Sequence, residues 1–258
     1  MTAWEQRARN IELIRYQVWA DLRSDAERSY LGVIWWIIEP IIYLAAFYVL
    51  LVLVLHRGTP DFVAKFLCGA VVWKWFDSGI KASAQAIVSS QGVWRQVRIA
   101  KYVFTLTMGM LSTARFVPVF FLYLGFLLIY GCEIRLTWIG VVPILLVQLL
   151  LILSLGMLIG SITPFLPDLS VGINHGMMFL FFISGVFFDV DTVAEPVRSY
   201  LLINPMAVLI KDYRNALING IWPGWWELLM LVLICLAMLF VARAIFNRLD
   251  GKYAKMRF

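Results

Sequence analysis

Charge is scarce in this sequence. Only 15% of its 258 residues are charged and 62% are hydrophobic, where an average soluble domain carries roughly a quarter charged. One soluble core of this length cannot hide that much apolar surface, so an ordinary soluble globule is excluded and a bilayer must act as solvent. Histidine is limited to His56 and His175, which argues against a histidine-rich metal centre. Cysteine is limited to Cys68, Cys132 and Cys235, each within or beside an apolar stretch. Their spacing fits neither a disulfide framework nor a zinc site, and they are expected to be packing residues. The phosphate-cradling pattern G-x-x-x-x-G-K-[ST] is missing, so this chain cannot hold a nucleotide in that way. H-E-x-x-H, G-x-S-x-G and C-x-x-C are missing too. Asp189, Asp191 and Glu195 could mimic a paired-carboxylate site, against which stands the simpler reading of a solvated loop. Residues 1–32 are polar and charged with no continuous apolar core, so no cleavable signal peptide is expected.

What the chain does have is long apolar runs. Six are read as spans: 35–55, 62–81, 103–130, 138–163, 171–188 and 225–246. Each is near or above the roughly 17 to 25 residues that cross the hydrocarbon. Trp35, Trp36, Trp138, Trp225 and Trp226 sit at their ends, where indole prefers the interface. The expected fold is all-α and polytopic, with a cytoplasmic N-terminus at 1–34, a six-helix domain at 35–246 and a basic cytoplasmic tail at 247–258. The net charge of +6 does not point to nucleic acid, because the basic residues gather at span ends. With the N-terminus inside, thirteen Lys and Arg fall in the regions before 35, between 91 and 101, and after 242. Only five, Arg57, Arg135, Arg198, Lys211 and Arg214, fall outside. The positive-inside rule therefore places both termini in the cytoplasm.

Before the first span, Trp4, Ile11, Ile14, Val18 and Leu22 recur at helical spacing, with polar residues over much of the remaining surface. This predicts an amphipathic helix on the cytoplasmic membrane surface. Arg7 and Arg15 interrupt its stripe, either snorkelling to head groups or meeting a cytoplasmic partner. Between 189 and 224, Asn204-Pro205 is a helix start, with Asn as cap and proline at the first position. Met206, Leu209, Ile210, Tyr213 and Leu217 continue it as an apolar stripe, ending near Asn219-Gly220. The expectation is a short helix dipping into the outer membrane face or lying on it.

Charges inside spans carry the functional weight. Glu39 lies in the first span, Lys74, Asp77 and Lys81 in the second, and Arg115 in the third. Each costs about 2.5 to 3.5 kcal/mol at the centre of an isolated helix, so each should face protein or a water-filled cavity. Lys74 and Asp77, three apart, share a face and are expected to neutralise one another. Tyr43, Phe47, Tyr48, Trp73, Trp75 and Phe76 accompany them. Aromatic planes with scattered charges suit the apolar C–H face and polar edges of sugars, although aromatics at this spacing also serve as packing. The loop Gln91-Gly92-Val93-Trp94-Arg95-Gln96-Val97-Arg98, followed by Lys101, reads as a short basic helix with an exposed Trp94. It is either a knob for a soluble partner or a membrane-anchoring loop.

Together these residues resemble the permeases of ABC-type polysaccharide exporters, over nearly the whole chain. Leu31-Gly32-Val33-Ile34-Trp35 through Glu39-Pro40 is similar to the L-G-x-L-W-x-x-x-x-P signature, where the interfacial helix turns into the first span. The Gln91-Gly92 loop, the turn Leu166-Pro167-Asp168-Leu169 and Asn204-Pro205 follow in the family's order. The resemblance implies a homodimer with two ATPase subunits beneath it, which hold ATP and Mg; no cofactor belongs to this chain. It implies that 91–101 is the coupling helix, that the outer short helices are re-entrant, and that an aromatic-lined channel carries a lipid-linked glycan through the inner membrane. Periplasmic and outer-membrane export proteins would complete the path. Two departures are visible. Asp25-Ala26 replaces the Arg-aromatic pair common before the L-G motif, and Pro167-Asp168 replaces the Arg-Asp of many O-antigen permeases. With His56-Arg57, that turn is closer to capsule exporters. Rival readings are a permease for teichoic acid, lipid or drug, a membrane-embedded glycan-modifying enzyme, and a passive scaffold.

Overall fold

The structure is a computed structural model describing residues 3–28, 38, 41–42, 49, 61–90, 92, 99–166 and 168–253. Among these it is entirely helical, as expected. The helices are α1 (Ala3–Arg28), α2 (Phe62–Ser89), α3 (Lys101–Ile129), α4 (Val141–Ile162), α5 (Leu169–Ile183), α6 (Val197–Leu201), α7 (Pro205–Arg214) and α8 (Trp225–Tyr253). The first expected span, 35–55, and the Leu31–Pro40 signature lie outside the described residues, apart from single positions.

Among the described residues, three helical segments are long and apolar enough to cross a membrane: Lys101–Ile129, Leu136–Phe165 and Trp225–Leu249. The 28 residues of α2 would span about 42 Å, more than the hydrocarbon thickness, but its length is interrupted by Lys65, Lys74, Asp77 and Lys81. Its helix runs past the expected end at 81 because Ala82 to Val88 contains no breaker. The 15 residues of α5 reach only about 22 Å. The last helix continues beyond the expected boundary at 246 to Tyr253, whose ring is buried.

Helices α2, α3, α4 and α8 form the bundle, and α1 lies against α3. The bundle closes where its helices have almost no side chain. A Cβ added at Gly79 would meet Ile152 at 2.6 Å, and one at Gly109 would meet Leu153 at 2.7 Å. At Gly156 it would meet Ser83 Cβ at 2.7 Å, and at Gly160 the Ser83 carbonyl oxygen at 2.7 Å. Small residues four apart let membrane helices approach closely enough for backbone contact. Ser83, at this crossing, donates its hydroxyl to the Thr105 carbonyl at 3.3 Å. Farther out, the buried Gln148 on α4 donates to the Val72 carbonyl on α2 at 2.8 Å. Tyr123 on α3 donates to the Ala64 carbonyl at 3.1 Å.

The buried apolar residues divide into two clusters. The larger one gathers α2, α3, α4 and α7 around Trp75, Phe76, Phe116, Ile152, Leu209 and Tyr213. A smaller one at the opposite end joins Ile87, Phe104, Met157, Ala242, Phe246 and Tyr253. Cys68 and Cys235 are buried packing residues, while Cys132 is half-buried; all three are free thiols.

Gly160→Ala is expected to destabilise the protein, because the new methyl presses on a backbone oxygen that cannot swing away; overpacking of this kind costs about 1–3 kcal/mol. Gly125→Ala, where nothing lies within 4 Å, should leave stability unchanged or slightly raised. Thermal unfolding in detergent compares the two. Equal midpoints for both variants would refute the close-approach account.

Candidate functional site

The two faces of α2 divide the candidate residues. Trp73, Trp75 and Phe76 are 5%, 3% and 2% exposed. Trp75 stacks on Phe116 of α3 with ring centroids 4.2 Å apart and planes 10° from parallel, and its Nε1 donates to Thr113 Oγ1 at 3.2 Å. Trp73 packs against Phe76 at 5.5 Å and Phe181 of α5 at 5.7 Å. The three rings thus lie in the interior that joins α2 to α3 and α5.

The other face is polar. Lys74 and Gln85 are exposed, and Asp77, Ser78 and Lys81 are half-buried. From Lys74 the positions step by three to Asp77 and by four to Ser78, then on to Lys81 and Gln85, so they form one stripe along the helix. Asp77 pairs with Lys81, one turn onward, at 2.7 Å, and Lys74 is engaged within the chain as well. The i,i+4 spacing brings the long Lys81 side chain back over the carboxylate, which explains the pairing. Arg115 is half-buried on α3 and engaged with other groups of the chain. Ser78 and Gln85 were not singled out from the sequence, although stepping from Lys74 at helical period finds both.

The basic loop is only partly placed. Gln91, Trp94, Arg95 and Arg98 lie outside the described residues, as do Tyr43, Phe47, Leu31, Gly32, Trp35, Glu39 and Pro40. Gly92 has open space where a Cβ would sit. Lys101 begins α3, Arg7 lies on α1, and Arg15 is exposed on α1. Of the expected α1 stripe, Ile14, Val18 and Leu22 are half-buried, but Ile11 is 60% exposed.

The connection between α5 and α8 is tightly bound. Asn204 caps α7, accepting from the Met206 amide at 3.0 Å, and Pro205 is the first helical residue. Met206, Leu209, Ile210, Tyr213 and Leu217 are all buried, as their spacing predicted. Asp168 stands exposed at the start of α5, and its side chain makes no capping hydrogen bond. The unanticipated feature is Arg214, 3% exposed. Its guanidinium donates to three carbonyls: Lys65 at 3.0 Å, Phe188 at 2.7 Å and Val186 at 2.8 Å. Burial lowers its pKa, partly offset by the nearby Asp189 carboxylate. This fork ties the end of α7 to the start of α2 and the turn after α5, geometry that lysine could not reproduce.

The acids of the same region are dispersed onto separate partners. Asp189 pairs with Lys65 at 3.4 Å, Asp191 with Arg198 at 2.7 Å, and Glu195 accepts from the Ser199 hydroxyl at 2.7 Å. Among the described residues no group of three metal-ligating side chains converges. Asp212 is different. It is 1% exposed, accepts from the Gly224 amide at 3.4 Å, and its second oxygen has no partner. Burial pushes its carboxyl up to about 6, against the lowering pull of Lys211. Lys211 itself is held by Glu227 of α8 at 2.8 Å.

A group whose folded pKa is raised is bound by its proton more tightly in the folded state. Stability should therefore increase as pH falls from about 6 to about 4, and the ionisation penalty should be complete above about pH 7. Asp212→Asn, which mimics the neutral acid, is expected to be more stable than the parent by on the order of 2 kcal/mol at pH 7.5. The advantage should shrink below pH 6 and vanish near pH 4. Unfolding midpoints across this range are the measurement, and a pH-independent difference would contradict the assignment.

Comparison with known proteins agrees with this architecture. The profile of the ABC-2 type transporter family matches residues 12–218. The O-antigen export system permease protein RfbA of Klebsiella pneumoniae is 22% identical over 237 residues, 92% of this chain and 91% of that protein. The protein of the same name from Myxococcus xanthus is 24% identical over 241 residues, 91% of each chain. The polysialic acid transport protein KpsM of Escherichia coli is 26% identical over 239 residues, 88% of this chain and 89% of that protein. With long apolar helices and a family profile covering most of its length, this chain belongs to the ABC-2 type transporter family.

Proposed function

We propose that this chain is the membrane-spanning subunit of an ATP-driven exporter of lipid-linked polysaccharide in the bacterial inner membrane. The observation that carries the proposal is a family match over residues 12–218, together with relatives named for O-antigen export and polysialic acid transport that align over 92% and 88% of the chain. The chain contributes no ATP chemistry of its own, so the proposal requires two separate ATPase subunits holding ATP and Mg. The resemblance of the Pro167-Asp168 turn and His56-Arg57 to capsule exporters makes capsular polysaccharide the first substrate to test and O-antigen the second. A glycan-modifying enzyme draws no support from Asp189, Asp191 and Glu195, each of which is bound to its own partner.

The working unit is a homodimer of six-span subunits with both termini in the cytoplasm. The open groove at Gly172 and Gly176 of α5, where an added Cβ would meet nothing within 4 Å, supports pairing through small residues four apart. The glycan moves along a path that includes the stripe Lys74, Asp77, Ser78, Lys81 and Gln85, with Arg115, Tyr43 and Phe47. Charge inside a membrane helix is costly and is retained where it contacts substrate or a water-filled cavity. ATP-driven closure of the partner moves the 91–101 loop, with Trp94 and Arg95 as its contacts. The packed pair α2 and α3, which flank that loop, carries the motion inward. Helix α7 and its Arg214 fork hold the re-entrant outer connection near the exit.

The test is co-purification with the ATPase subunits encoded beside this chain. The native protein should form a stable complex with ATP turnover, and the Trp94→Ala, Arg95→Ala double variant should lose it. Intrinsic activity on a glycan without any ATPase would sink the exporter reading. A second expectation concerns the path. Reversing the stripe with Lys74→Glu and Lys81→Glu should reduce surface glycan by about fivefold or more, as expected for intramembrane charges in a transport route, while complex formation persists. Unchanged surface glycan would remove the stripe from the path.

A further inference from the structure

Tyr102 is the second residue of α3 and lies immediately beyond the 91–101 loop. Its hydroxyl accepts the side-chain amide of Asn10, on α1, at 3.0 Å. Its ring faces two residues of α8: the Arg243 guanidinium carbon lies 5.8 Å from the ring centroid, and Phe246 meets it edge-on at 6.4 Å. One side chain at the loop's exit therefore touches both the N-terminal helix and the last helix, which are remote from it in sequence.

The chain of contacts continues. Phe246 lies 6.1 Å from Tyr253, and Tyr253 lies 5.0 Å from Phe165. The Tyr253 hydroxyl donates to the Ser161 carbonyl, in the last turn of α4, at 2.6 Å. Phe246 and Tyr253 are 4% and 1% exposed. They belong to the smaller apolar cluster, separate from the main core. Between the two clusters lies the glycine crossing, where Gly160 meets the Ser83 backbone and Gly79, Gly109 and Gly156 meet neighbouring side chains. Displacement passes between elements through contiguous packed side chains that move together, and here such a set begins at the loop.

We infer that Tyr102 is a positioning residue that passes movement of the 91–101 loop to α1 and α8, and that Phe246–Tyr253 is a working part of the transport cycle. This rests on the reading of that loop as the ATPase contact. Tyr102→Phe removes the acceptor for Asn10 and keeps the ring contacts; Asn10→Ala removes the same hydrogen bond from the other side.

The experiment uses the full chain with its ATPase subunits. Complex recovery and ATP hydrolysis are measured on purified complex, and surface glycan is measured by periodate–hydrazide labelling of whole cells. Each single variant is expected to keep complex recovery and hydrolysis within about twofold and to lower surface glycan by about three- to tenfold, the scale of one partly buried hydrogen bond. The double variant should be no worse than either single, since both remove one interaction. Tyr253→Phe, which frees the Ser161 carbonyl, should show the same split. Unchanged surface glycan in Tyr102→Phe would overturn the inference. So would multiplying losses in the double variant, or a parallel fall of complex, hydrolysis and glycan, which marks a merely structural residue. The Trp94→Ala, Arg95→Ala variant run alongside separates the two ideas. If it retains complex and hydrolysis, the loop assignment fails by itself, whatever Tyr102→Phe shows.

Discussion

Apolar helices surrounded by lipid gain little by exchanging lipid contacts for one another, so what holds them together is close van der Waals contact and a few polar bonds. In this chain that contact depends on Gly79, Gly109, Gly156 and Gly160, which bring α2, α3 and α4 together around Ser83. The stacking of Trp75 on Phe116 at 4.2 Å and the Gln148 bond to Val72 follow from this approach. A methyl group at the crossing would spread the helices and loosen both. The crossing also separates the two apolar clusters, one reaching the α7 connection and the other holding Tyr253.

Charge follows a second constraint. In a low-dielectric setting a buried ion must be satisfied locally or face water. Arg214 is satisfied by three backbone carbonyls, and its fixed fork makes it a clasp between α2, α7 and the turn after α5. Lys81 and Asp77 satisfy one another on the polar, half-buried face of α2. Asp212 is the exception, with one oxygen unpartnered and its proton held to about pH 6. The clasp gives rigidity to the connection between α5 and α8, whereas the stripe offers polarity along a helix otherwise committed to packing.

These constraints fit a transport subunit better than an enzyme. The aromatic rings of α2 are engaged in joining helices, so α2 and α3 form a stiff pair on either side of the 91–101 loop. Stiffness is what a chain needs if it is to transmit a displacement made elsewhere. Asp189, Asp191 and Glu195 are tied singly to Lys65, Arg198 and Ser199.

Hydropathy alone determined that the chain is helical and membrane-embedded, because backbone groups in lipid must be satisfied within each helix. The sequence also announced the Asn204 cap and the buried stripe from Met206 to Leu217, since capping and helical periodicity are local. The long apolar helices begin and end within a few residues of the hydropathy boundaries, except where nothing polar breaks the helix, at α2 and α8. Tertiary structure alone decided which face of α2 turns inward: Trp73, Trp75 and Phe76 and the charges of Lys74, Asp77 and Lys81 lie within one short stretch, and only neighbouring helices could separate them. It also decided that Asp77 pairs with Lys81. Arg214 and Tyr102 were silent in the sequence, because their partners are carbonyls and rings brought from far along the chain.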